Sequence, residues 1–64
     1  MVRFLERQGL RVVRIADSHH FMDGNGKRTS VPVHGSHNLK IGTLRAILRD
    51  VDMSPVEFER LWQE

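Results

Sequence analysis

Two β-rich runs flank the tetrad Asp23-Gly24-Asn25-Gly26, and this punctuation constrains the chain more than any other feature. Its residues accept positive backbone φ, so the tetrad reads as the turn of an antiparallel hairpin. Ahead of the tetrad, Leu10 to Ile15 and Ser18 to Asp23 read as paired strands. Behind it, Arg28 to His34 alternates Thr29, Val31 and Val33 with Ser30 and Pro32. Proline cannot donate a ladder hydrogen bond, so this third strand belongs at an edge or turns Pro32 to solvent.

A small sheet with one apolar side must be covered, and the rest of the chain supplies helices. Met1 to Gln8 is a short amphipathic segment stopped by Gly9. Ile41, Leu44, Ile47, Leu48 and Val51 recur at helical spacing and leave Arg45 and Arg49 on another face. Ser54-Pro55-Val56-Glu57 combines an N-cap serine, a proline at the first helical position and a glutamate at the third, the signature of a capping box. The expected class is α+β in the order α-β-β-β-α-α, a three-stranded antiparallel sheet with helices on one face. Residues 1–64 show no repeat or linker and read as one domain.

At 64 residues such a chain buries only about 60% of its unfolded surface. Without cysteine it has neither disulfides nor thiolate metal sites in reserve, so a partner that covers apolar surface is expected. Charges at Arg3, Glu6 and Arg7 argue against a secretory core or a membrane span, which makes the cytoplasm the expected address. The net charge is only +2. Cations prevail up to Asn38 and acids from Asp50 onward, so the front half attracts phosphate, although an excess this small also suits an ordinary solvated face. Lys27 and Arg28 at the hairpin turn and Lys40 at the start of the main helix are the candidate phosphate contacts.

Adjacent His19 and His20 point to opposite faces of a regular strand, so one at most serves a given site. His19 shares a face with Phe21 and His20 with Met22, and parity alone does not choose between them. His34 and His37 stand three apart and invite comparison with a zinc site, but no cysteine or glutamate completes a recognised ligand pattern. Phe21 is the only aromatic on the expected sheet, which argues against a stacking surface for sequence-specific RNA reading.

Three blocks in order, Ser18-His19-His20-Phe21, Val31-Pro32-Val33-His34-Gly35 and Gly42-Thr43-Leu44-Arg45-Ala46-Ile47-Leu48, resemble the HicA family of bacterial toxins, small endoribonucleases that degrade messenger RNA. The resemblance spans about Gly9 to Trp62. It implies a double-stranded-RNA-binding-like fold, a catalytic histidine at His19 directly after Ser18, an mRNA substrate, no cofactor and a HicB-like antitoxin partner. Imidazole suits that chemistry, because a reference pKa of about 6.5 lets it take a proton from a 2′-hydroxyl or give one to a departing oxygen. Ser18, Lys27, Arg28 and Lys40 would then contact substrate.

The chain departs from the family pattern at Asp17, where glycine is usual, and its first helix is about a turn short. A carboxylate at that point either repels the scissile phosphate or hydrogen-bonds the imidazole, so reduced or retuned activity is expected. Two other readings compete with the enzyme. A double-stranded-RNA-binding module would share the element order, yet it usually carries a lysine cluster where this chain has Lys40 alone. A degenerate toxin would keep only its antitoxin contact.

Overall fold

The computed structural model describes residues 1–33 and 39–62, so His34, Gly35 and His37 lie outside the described residues. The elements are α1 (Val2–Arg7), β1 (Arg11–Ala16), β2 (His19–Gly24), β3 (Lys27–Pro32), α2 (Ile41–Asp50) and α3 (Pro55–Leu61). The strands form one antiparallel sheet in the order β1-β2-β3, as their alternation and turn residues require. Pro32 falls on an edge strand, where its missing N–H breaks no ladder.

Both strand connections are two-residue turns. Ala16 pairs with His19 across Asp17 (φ 51°) and Ser18 (φ 63°), and Gly24 pairs with Lys27 across Asn25 (φ 53°) and Gly26 (φ 73°). Positive φ at both central residues is the type I′ pattern, whose twist matches that of the flanking strands. Gly24 is needed for close approach rather than for its φ: a Cβ there would run into the Gly9 carbonyl and lie 2.7 Å from Leu10 Cα.

The helix ends follow from their sequences. At the end of α1 the Gly9 N–H reaches Glu6 O at 3.0 Å and the Leu10 N–H reaches Leu5 O at 3.1 Å, a Schellman motif. Leu10 is thereby folded back into the core, which is why β1 starts one residue later than the Val/Ile run suggests. The same motif closes α2, with Asp52 N–H on Arg49 O at 3.1 Å and Met53 N–H on Leu48 O at 2.9 Å. Ser54 caps α3 as its sequence predicts, its Oγ accepting from Glu57 N–H at 3.1 Å.

The core lies on one face of the sheet. Met22 and Val31 meet Phe4 and Leu5 of α1, Ile47 and Val51 of α2, and Leu10. Phe58 of the last helix and Trp62 at its C-cap close over Phe4 at ring-centroid distances of 5.2 and 5.4 Å. Thr29 is the one buried polar residue among those described, and its hydroxyl donates to Asp50 Oδ2 at 2.9 Å, tying β3 to α2.

Candidate active site

Register shows which face each of the adjacent histidines takes. His20 pairs with Val31, and with Met22 it belongs to the face that carries the core, whereas His19 pairs with Ala16 and Pro32 on the opposite, open face beside Phe21. His20 is half-buried and its Nδ1 has no hydrogen-bond partner among the described residues, so within them this imidazole carries an unmet polar atom against the interior. Of the two adjacent histidines, His19 is the one on the face that the helices leave open.

The tight turn positions it. His19 Nδ1 lies 2.9 Å from the backbone carbonyl of Asp17. When Nδ1 carries the hydrogen and donates to that oxygen, the lone pair is on Nε2, the arrangement a general base requires. The carbonyl is aimed at the ring because Asp17 and Ser18 both turn through left-handed backbone. The turn is also fastened to the end of β3, since Val33 N–H donates to Ser18 O at 2.7 Å.

Beside His19 the edge of β3 and the flank of α2 enclose an open cleft of about 380 Å³. Ser30 and Pro32 line it from the strand, and Gly42, Thr43, Ala46, Ile47 and Asp50 from the helix. Small residues at Gly42, Thr43 and Ala46 leave room for a chain to approach the imidazole. An imidazole, hydroxyl side chains and the first turn of a helix thus face one space.

The sequence-derived candidates divide between two places. Ser18 is in the turn itself, and Lys40 is the N-cap residue of α2, the end of the helix that lines the cleft. Lys27 and Arg28 lie at the opposite end of the sheet, since β2 runs from His19 to Gly24 and its far end pairs with Lys27, a separation of about 16 Å at roughly 3.3 Å per residue. There Arg28 Nε reaches Asp23 Oδ2 at 3.7 Å, an exposed ion pair. A substrate touching both His19 and Lys27 has to cross the open face.

Arg14 is a neighbour that sequence reasoning passed over. Its guanidinium lies 4.8 Å from the Phe21 ring centroid, and Phe21 in turn is 6.4 Å from the His19 ring. Strict alternation would put Arg14 on the same face as Val12, which packs against the core. A bulge between Val12 and Arg14 shifts the register, so Val12 opposes Met22 while Arg14 opposes Phe21. The detectable signal was the conflict itself, since an apolar core position and an arginine two residues apart cannot both face the core.

Among the described residues no group of three or more histidine, cysteine or acidic side chains is placed to hold a metal, and no helix is long and apolar enough to cross a membrane. The zinc alternative involved His34 and His37, which lie outside those residues. A family model described as the HicA toxin of bacterial toxin-antitoxin matches residues 1–53. No curated protein and no solved structure gives a significant match.

Proposed function

The chain belongs to the HicA family of bacterial toxin–antitoxin toxins, RNase-type proteins each made with a cognate antitoxin, and from that premise we propose an endoribonuclease that cleaves messenger RNA with His19 as its general acid or base. The observation that carries this reading is the 2.9 Å contact between His19 Nδ1 and the Asp17 carbonyl, beside an open cleft of about 380 Å³.

The chemistry needs no cofactor, because RNA brings its own nucleophile. His19 Nε2 removes the proton of a 2′-hydroxyl, that oxygen forms a bond to the adjacent phosphorus, and the bond from phosphorus to the 5′-oxygen breaks, the leaving oxygen taking a proton from water. Once protonated, the imidazole holds its charge against the Asp17 carbonyl and is equipped to return a proton. A histidine so placed contributes about 10²- to 10⁴-fold in rate. Cationic and hydroxyl groups around the phosphate supply the rest, with Ser18 and Lys40 next to the cleft and Lys27 and Arg28 further along the strand's path.

The bond from Asp17 comes from its main chain, so aspartate supplies the same acceptor that glycine would. What the side chain adds is negative charge near the phosphate and a cost for holding φ at 51°. The charge lowers activity below that of a glycine variant, and the backbone cost lowers stability. In the cell, the cytoplasm being the expected site, a HicB-like antitoxin covers the cleft.

Incubating the purified protein with a structured messenger RNA, beside a His19→Ala variant and with a chelator present, tests the reading. Chelator-insensitive cutting that vanishes in His19→Ala supports it. Binding without cutting points to a double-stranded-RNA-binding module, and neither binding nor cutting to a toxin that keeps only its antitoxin contact.

A further inference from the structure

The open face of the sheet presents three cross-strand rows: Ala16, His19 and Pro32; Arg14, Phe21 and Ser30; Arg11, Asp23 and Arg28. The middle row is built differently from an ordinary solvated surface. A backbone bulge is spent to bring Arg14 onto this face, and its guanidinium is set over the Phe21 ring at 4.8 Å. Arg14 is exposed, and among the described residues it makes no ion pair or hydrogen bond. Its N–H groups are therefore unassigned within the described fold. In the next row Asp23 is engaged by Arg28, which reduces its repulsion of an anion. Ser30 belongs both to this row and to the lining of the His19 cleft, so the two surfaces are continuous.

An arginine held against an aromatic ring offers a π surface on which a nucleobase stacks and a rim of donors that fits a phosphate. We infer that the Arg14–Phe21 pair is a nucleotide subsite: it stacks the base of the nucleotide next to the linkage held at His19, and the outer guanidinium N–H groups bind that nucleotide's phosphate. The 6.4 Å between the Phe21 and His19 rings places the subsite one nucleotide from the imidazole. This rests on the RNA-cleaving reading and extends it, making the substrate a single strand at the point of cutting, with its base lifted out of any duplex. Every base has a π face, so the subsite tightens binding without reading sequence.

The test uses the full chain and a short single-stranded oligoribonucleotide with every 2′-hydroxyl methylated, which binds but cannot be cut. Affinity is read by fluorescence anisotropy over a range of salt. Phe21→Leu is expected to weaken binding roughly tenfold with the salt dependence unchanged. Arg14→Gln is expected to weaken binding and to lower the slope of log K against log salt by about 0.7, the value for one phosphate contact on a single strand. One abasic position in the oligonucleotide should cost the natural protein about as much as Phe21→Leu does, and that cost should disappear in the Phe21→Leu variant. Because the abasic scan uses the unaltered protein, a folding defect in a variant does not shield the inference.

Equal abasic costs in both proteins at every position overturn the subsite, as does an unchanged slope in Arg14→Gln or an absence of measurable binding. Loss of antitoxin binding in these variants, with RNA binding intact, overturns it in favour of a protein interface. The two readings fail separately. A protein that shows the stacking signature yet never cuts natural RNA loses the nuclease proposal and keeps the subsite, and His19-dependent cutting without the signature does the reverse.

Discussion

The two hairpin turns share a backbone and differ in what they are made of. Asn25-Gly26 takes φ values of 53° and 73° with the residue pair best suited to them, and Asp17-Ser18 takes 51° and 63° with a pair less suited. The first turn is structural. Asn25 Nδ2 donates to Gln8 O at 3.0 Å and so locks the hairpin tip to the end of α1. The second turn is exposed, and its distinctive contact is the Asp17 carbonyl on the His19 imidazole. Both turns join neighbouring strands, but only the second holds its positive φ with two residues that carry side chains poorly suited to it, and it does so where its carbonyl meets an imidazole. The comparison teaches that the same turn geometry can serve folding at one end of a sheet and aim a side chain at the other.

The largest expected effect separates the two turns by activity. His19→Ala should lower RNA cleavage about 10²- to 10⁴-fold while the thermal midpoint stays within a few degrees. A comparable loss of cleavage from Asn25→Ala, in protein that remains folded, would break the division of labour. Next comes Gly24→Ala at the structural turn, where the added Cβ meets backbone of Gly9 and Leu10. It should cost about 1–3 kcal/mol, read as a lowered urea midpoint.

Gly26→Ala isolates the cost of positive φ, because a Cβ at that position has nothing within 4 Å. A loss of about 1–2 kcal/mol is expected from the left-handed backbone alone. The smallest stability change belongs to Asp17→Gly, which should gain a few tenths of a kcal/mol, since relief of the left-handed side chain is partly offset by the flexibility of glycine in the unfolded chain. The same variant should cut RNA faster. A cleavage rate that does not rise would remove charge repulsion as the effect that tunes this site.

Much of the architecture was legible in the residues, for reasons that are local. The Asn-Gly turn, the Ser54-Pro55-Val56-Glu57 start of α3 and the spacing of Ile47, Leu48 and Val51 each act within a few residues, and each forms where the sequence predicts. The site was legible only in part. Ser18 and His19 stood out through the family's motif. Arg14 did not, because its place depends on a bulge, and a bulge is resolved by which face the rest of the chain covers. Val13 and Ile15, apolar yet 53% and 62% exposed on the open edge strand β1, mislead in the same way. Alternation reports which residues share a face and is silent on which face the helices take.

Sequence by itself determined the order of elements, the Asn-Gly hairpin, the cap of the last helix and the presence of an imidazole at the start of a strand, because propensity, capping and turn chemistry are short-range. Tertiary structure decided that His19 faces the open side while His20 faces the core, that Lys27 and Arg28 stand at the far end of the sheet, and that Arg14 lies over Phe21. Those outcomes follow from packing the Met22–Val31 face under α1 and α2, a long-range hydrophobic choice that turns every side chain of a strand at once.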